Sequence, residues 1–386
     1  MPADIGKVIM NTEQKALFDK ARRVVVKVGS GVLSHNGGIN LNVVASISSQ
    51  MAALMRSGRQ MILVSSGAVA SGVSKVGLGR RPSSMPEKQA AAAIGQASLV
   101  LEYELRFASA GLQVAQVLLT RNDLSHRTRY LNARNTLNTL LSWGVVPIIN
   151  ENDTVVTDEI RFGDNDNLSA MIALLLDADL LINLTDIDGL YDGDPRKNPE
   201  AKRLEVVEEI TPAIEEGSKG SPGAVGTGGM WTKIEAAKKS TASGVPMVIA
   251  CGSQPNVLTD LFDGVAHGTF FVPNPDKLGS RKRWIAFTSK TFGEVRVDEG
   301  AVKALTERGK SLLPSGITEV SGSFDVGAAV LVCDASGEEL GRGLTNYTAE
   351  EIRAIKGLKT DEIESRLGFC EYDEVIHRDN LVVTRR

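Results

Sequence analysis

Val24-Val25-Val26-Lys27-Val28-Gly29-Ser30-Gly31 is the segment that sets the reading of the chain. Residues 24–28 have the length and β-branched character of a buried strand, and a glycine turn follows at once. One position breaks the pattern. Lys27 stands among valines, and lysine is seldom fully buried without a partner. It could be a lysine whose head snorkels out at a strand end. It could instead aim its charge at phosphates lying over the free N–H groups of the glycine turn and the helix after it.

Working outward, apolar runs at 61–64, 114–118, 145–149, 180–184 and 246–250 alternate with helical stretches at 42–56, 88–108, 130–143, 168–176 and 232–243. Fully apolar strands separated by helices predict a largely parallel sheet covered on both faces, a three-layer α/β sandwich. Ligands of such sheets bind beyond the carboxyl ends of the strands. The segments there are small, polar and glycine-rich: Ser65-Ser66-Gly67, Asn150-Glu151-Asn152-Asp153, Thr185-Asp186 and Cys251-Gly252-Ser253.

The pattern changes near Pro273-Asn274-Pro275. The predicted organisation is an N-terminal extension (1–21), read as an arm or short helix, an α/β domain (22–273), a linker (274–289) and a small β-rich domain (290–386). In the last, strands are expected at 294–297, 318–320, 329–332, 340–344 and 375–378, with helices at 301–308 and 349–355. A length of 386 residues fits two domains better than one core.

The totals exclude several classes. The hydrophobic fraction is 42% and the charged fraction 23%, ordinary for a globular protein. Asp177 and Asp179 interrupt the most apolar stretch, and residues 1–20 contain no signal-type apolar run, so a cytoplasmic protein without a membrane span is expected. The three cysteines, Cys251, Cys333 and Cys370, are far apart and are read as buried thiols. No G-x-S-x-G segment accompanies any of the four histidines, so a Ser-His-Asp mechanism has no support. Neither a Walker phosphate loop nor a G-x-G-x-x-G turn is present.

Two further clusters sit at the expected ligand edge. Gly226-Thr227-Gly228-Gly229-Met230-Trp231-Thr232-Lys233 opens a helix, with a second lysine in its first turn, where backbone N–H groups are free. Two glycine-plus-lysine elements at one edge favour a polyphosphate over two surface loops. Asn150 to Asp153 and Gly163-Asp164-Asn165-Asp166-Asn167 bring acids and amides together. Such acids repel unless a cation lies among them: magnesium, lysine or a substrate amine. Lysines and acids without histidine suit phosphorylation of a carboxylate. That nucleophile is already ionised at neutral pH and needs no general base.

Taken in order, 25–30, 64–68, 149–153, 162–170, 184–191 and 226–233 resemble the glutamate 5-kinases of the amino-acid kinase family, and 281–317 resembles their PUA domain. The resemblance implies ATP-dependent phosphorylation of the γ-carboxylate of L-glutamate, feeding proline synthesis. It implies Lys27 and Lys233 as charge-stabilising catalytic residues positioned by Asp166. Glutamate would meet Ser66, Asp153 and Asn165, with Asn150 and Asp164 nearby. ATP would meet Lys27, Gly29, Ser30, Thr185, Asp186, and Thr227, Gly228, Gly229, Met230, Trp231, Thr232 and Lys233. Magnesium would travel mainly on the ATP phosphates, with no direct protein ligand assigned. A homo-oligomer (dimer or tetramer) and feedback inhibition by proline are further implications. Trp231 departs from the smaller or polar residue usual there.

The rivals are another kinase of the same fold, acting on acetylglutamate, aspartate, carbamate or uridylate, and an RNA-binding protein using the PUA domain. Residues 290–386 carry 13 Lys and Arg against 18 Asp and Glu, a net charge of −5, which repels a nucleic-acid backbone. The missing glycine fingerprint speaks against a dinucleotide-dependent dehydrogenase.

Overall fold

The computed structural model describes residues 9–35, 38–80, 82–155, 164–196, 198–218, 229–274, 282, 285–286 and 290–384, apart from the side chains of His35, Arg127, Thr128 and Asp164. The chain forms two compact units, Met1–Asp123 with Leu131–Lys277, and Leu124–Tyr130 with Leu278–Arg386. Most of the predicted linker lies outside the described residues.

The first unit is built on one eight-stranded sheet. Its strands are β1 (Arg23–Val28), β2 (Gln60–Ser65), β3 (Val114–Leu119), β4 (Val146–Glu151), β5 (Leu180–Thr185), β6 (Val206–Val207), β7 (Met247–Cys251) and β8 (Thr269–Phe271). Their order is β6-β8-β7-β5-β1-β2-β4-β3, and only β7 with β8 is antiparallel. The helices that matter are α1 (Thr12–Lys20), α2 (Leu41–Arg56), α3 (Ala68–Val76), α4 (Met85–Ala108), α5 (Asp164–Leu175), α6 (Met230–Ala242) and α7 (Val257–Phe262).

Strand alternation sends side chains to opposite faces. Val24, Val26 and Val28 join Leu63, Ile148, Ile182 and Val248 in a core closed by Phe18 of α1, Ile47 and Met51 of α2, Tyr103 of α4 and Leu258 of α7. Lys27 faces the other way. Its Cα pairs with Asn183 of β5, so both side chains rise from the face on which α5 packs, with α6 against α5. The extension read as an arm or short helix is α1. An Asn11/Gln14 capping box starts it, and buried Phe18 meets Phe262 edge-on at 5.4 Å between ring centres.

Helix α3 has no counterpart among the expected elements; it carries Gly72 in its interior, where glycine is unfavourable by about 1 kcal/mol. The structure shows what that glycine is for. A Cβ at Gly72 would lie 1.8 Å from the Ala91 carbonyl oxygen, and one at Gly95 would lie 1.8 Å from that of Ala68. The α3 and α4 backbones therefore touch. Because α3 begins directly after Ser66 and Gly67, this contact fixes α4 against the carboxyl end of β2.

In the second unit, β9 (Thr291–Val297), β10 (Ile317–Gly322), β11 (Ala329–Cys333), β12 (Glu339–Leu344) and β13 (Leu381–Val383) form a sheet ordered β10-β9-β11-β12-β13. Val295, Val330, Val332, Tyr347, Ile352 and Ile376 lie in its core. Residues 375–378 are not the expected strand. Ile376 makes only an isolated bridge to Leu312, a 3-10 turn follows at Arg378–Asn380, and the strand is Leu381–Val383. Val375 and Ile376 are apolar because they fill the core, not because they pair. The cysteine expectation holds for Cys333 alone. Cys251 is half-buried at the end of β7, and Cys370 is exposed in an irregular segment, its Sγ donating to the Tyr372 carbonyl.

Gly95→Ala must separate two helices that touch through backbone. It is expected to destabilise the first unit by at least about 3 kcal/mol in urea unfolding. An unchanged midpoint would show that the helices slide apart without cost.

Candidate active site

One carboxylate organises the ligand edge. Asp166, in the first turn of α5, is fully buried. Its Oδ1 accepts from Lys27 Nζ of β1 at 2.5 Å and from Asn183 Nδ2 of β5 at 2.8 Å. Its Oδ2 accepts from Thr232 Oγ1 at 2.6 Å and Lys233 Nζ at 3.4 Å, both from the first turn of α6. Residues from four elements thus meet on two oxygens. Lys27 and Lys233, distant in sequence, lie within one carboxylate's reach of each other, each 5% exposed.

The electrostatics follow from burial and stoichiometry. Burial alone would raise the Asp166 carboxyl, but the charges of Lys27 and Lys233, with the Lys27 and Thr232 hydrogen bonds, hold it well below the usual carboxylate range. Burial pulls the Lys27 ammonium down, against the attraction of Asp166, and its net shift is downward. One carboxylate stands against two ammonium groups. Asp186 also attracts the Lys27 ammonium, more weakly than Asp166 does. An ammonium has three N–H donors. Lys27 therefore has donors beyond the one it gives to Asp166.

Beside this hub lies a chain of amides. Asn165, the residue before Asp166, donates through Nδ2 to Ser66 Oγ at 3.0 Å and to Asn150 Oδ1 at 2.9 Å. Asn150 Nδ2 donates to Gln96 Oε1 of α4 at 2.7 Å. Asp153 is half-buried near the end of β4, and burial pushes its carboxyl up to about 6. The structure thus joins Ser66, Asn150 and Asn165 directly. The Asp164 side chain lies outside the described residues.

On the Lys233 side a cavity of ≈ 530 Å³ is lined by Thr185, Asp186, Tyr191, Ile214, Met230 and Lys233, among others. Its size suits a mononucleotide. Gly29 caps the short helix Ser30–Leu33, and a Cβ there would come 3.4 Å from Lys27 Nζ. A Cβ on Gly31 would lie 3.0 Å from Asp186 Cγ, so bare backbone keeps this edge open. Gly29, Ser30, Trp231 and Thr232 are not cavity walls. Thr232 turns instead to Asp166. Thr227 and Gly228 lie outside the described residues.

Among the described residues, no three His, Cys, Asp or Glu side chains are grouped to hold a metal ion. Asp166 has both oxygens engaged by cations and hydrogen-bond donors. This donor set does not form a cage, but it fits a magnesium ion that arrives on phosphate oxygens and keeps its waters.

Sequence reasoning missed Asn183 and Gln96. Asn183 had a signal, a single amide inside Leu180-Leu181-Ile182-Asn183-Leu184, of the same kind that singled out Lys27. Gln96 had none, since glutamine is ordinary in a long helix.

Residues 22–251 match the amino acid kinase family model, and 293–367 match the PUA domain. Glutamate 5-kinase of Geobacter sulfurreducens is 52% identical over 371 residues, covering 96% of this chain and 100% of that protein. The same-named protein of Syntrophotalea carbinolica is 51% identical, covering 96% and 100%. That of Caldanaerobacter subterraneus subsp. tengcongensis is 53% identical, covering 94% and 98%.

The charge count of the hub predicts an asymmetry in stability. Asp166→Asn leaves two buried ammonium groups unbalanced and should cost about 3–5 kcal/mol. Lys233→Met leaves a balanced Lys27–Asp166 pair and should change stability by no more than about 1 kcal/mol. The Asp166 carboxyl is depressed in the folded state, so its contribution is full above the ordinary carboxylate pKa, declines below it and is lost as pH falls through the depressed folded value. Urea unfolding between pH 7 and pH 3 should show the onset of that loss as a steeper decline in the parent than in Asp166→Asn. Equal destabilisation by both substitutions would refute the charge count.

Proposed function

The chain belongs to the glutamate 5-kinases of the amino acid kinase family, and from that premise we propose how its buried cluster moves a phosphoryl group. The reaction is ATP-dependent phosphorylation of the γ-carboxylate of L-glutamate, giving L-glutamyl 5-phosphate and ADP, the first step of proline biosynthesis. The observation that carries the mechanism is the convergence of Lys27 and Lys233 on Asp166.

A γ-carboxylate oxygen attacks Pγ as the bond from Pγ to the bridging oxygen breaks, and ADP leaves with the electron pair. The attacking group has an intrinsic pKa of about 4.3, so no proton has to be removed. The barrier lies in bringing two anions together and in the charge spread over the moving phosphoryl group. Lys27 and Lys233 meet that charge from two sides, with their positions already set by Asp166, so little reorganisation is needed during transfer. Thr232 and Asn183 hold Asp166 in place. Magnesium, bound on the ATP phosphates, supplies further charge neutralisation.

Ser66, Asn165 and Asp153 bind glutamate, and Asn150 and Asp164 belong to the same group of residues. An ionised Asp153 suits the substrate ammonium. Gly29, Ser30, Thr185, Asp186 and the segment 227–233 form the ATP side; Thr185, Asp186, Gly229, Met230 and Lys233 among them line the cavity described above. The family further suggests a cytoplasmic dimer or tetramer, inhibited by proline. The net charge of −5 on residues 290–386 favours a structural or regulatory role for the PUA unit over RNA binding.

The direct test is an assay with ATP and glutamate in which hydroxylamine traps the acyl phosphate. Turnover only with N-acetylglutamate, aspartate, carbamate or uridylate would overturn the assignment. Lys27→Ala and Lys233→Ala should each lower kcat by about 10²- to 10³-fold or more, with an unchanged circular dichroism spectrum. Parent-like turnover in Lys233→Ala would end the mechanism.

A pH dependence follows from Asp153. Its carboxyl is raised to about 6 and is charged only above that pH. The KM for glutamate should therefore climb roughly tenfold per unit as pH falls below this value. Asp153→Asn should have a high KM that no longer responds to pH in this range, and a sloping profile in that variant would assign the titration to another group.

A further inference from the structure

The amide chain beside Asp166 has a direction, and the backbone sets it. Backbone N–H can only donate, and Glu151 N–H reaches Asn150 Oδ1 at 2.9 Å. The Asn150 oxygen is thereby identified. Its Nδ2 must point the other way, and it meets Gln96 Oε1 at 2.7 Å. Gln96 therefore turns its Nε2 outward from this contact. At the other end Asn150 Oδ1 also accepts from Asn165 Nδ2, whose second proton goes to Ser66 Oγ, so Asn165 turns its Oδ1 outward.

Both outward atoms are buried and have no hydrogen-bond partner. Gln96 is 8% exposed and stands next to Gly95, whose contact with α3 holds it in place. A buried donor and a buried acceptor left unmade are each unfavourable, and both belong to one rigid chain. The donor matches a carboxylate oxygen. The acceptor matches an ammonium. An α-amino acid carries one group of each kind.

From this we infer that Gln96 is a specificity-determining residue that donates Nε2–H to the α-carboxylate of glutamate, while Asn165 Oδ1 accepts from the α-ammonium. The inference rests on the glutamate reading above and deepens it. Asn150 need not touch the substrate. It transmits the polarity set by Glu151 N–H to both ends. The γ-carboxylate is then directed toward the phosphoryl group that Lys27 and Lys233 stabilise, and the two ends of one substrate meet different chemistry.

Gln96→Glu tests this with little change of shape. The variant keeps an acceptor for Asn150 Nδ2 and replaces the outward donor by a charged acceptor. Its KM for glutamate should rise at least about 100-fold, while the KM for ATP and the melting temperature stay near the parent values. Gln96→Met, which only removes the donor, should raise the glutamate KM about 10- to 100-fold. Asn150→Asp, which obliges Gln96 to turn its amide over, should resemble Gln96→Glu. A glutamate KM within threefold of the parent in a folded Gln96 variant overturns the inference, since an internal water would then be the partner of Nε2. Losses that follow the melting temperature, affect both substrates alike, or prevent folding of both Gln96 variants also overturn it, by assigning Gln96 a structural role. A parent enzyme that does not phosphorylate glutamate at all is a different result, and defeats the function rather than this residue's part in it.

Discussion

Two ammonium groups sharing one buried carboxylate are the constraint around which the first unit is arranged. A lone lysine between β-strands would be costly, and so would a second one nearby. Asp166 makes both tolerable without neutralising them. Their ammonium groups are what a transferring phosphoryl group requires. Stability and catalysis therefore draw on the same three side chains in opposite ways.

The scaffold explains why the hub is rigid. Lys27 and Asn183 are side by side in the sheet register, so their separation is that of neighbouring strands. Asp166 and Lys233 stand in the first turns of α5 and α6, which pack on each other above that face. Sites set on regular elements keep their geometry better than sites set on loops. The glycine contact between α3 and α4 does the same for the amide chain, by holding Gln96 where Asn150 can reach it.

The two ends of the site use different physics. Around Asp166 the interaction is charge against charge, with little directional demand. Along Gln96, Asn150 and Asn165 it is hydrogen-bond polarity, in which each amide can be inserted two ways and only one satisfies its neighbours. A single backbone N–H at Glu151 decides among them. Substrate recognition is thereby tied to the carboxyl end of β4 as firmly as phosphate chemistry is tied to β1.

The amino-acid order alone determined the parallel sheet, its helix partners and the exceptional lysine in β1, because these depend on local periodicity and on the rarity of lysine among buried valines. It brought out Asp166, Lys233, Asn165 and Ser66 through glycine-rich and acidic segments at strand ends. It misled at 375–378, where apolar residues serve the core without pairing, and it left α3 unread, although Gly72 there lets the helix touch its neighbour. Only the tertiary structure could decide that Lys27 and Lys233 share one carboxylate, that Asn183 supports it, and that Gln96 belongs to the site. Those facts depend on register and on helix-to-helix distance across dozens of residues, and such relations leave no trace in the local pattern of a chain.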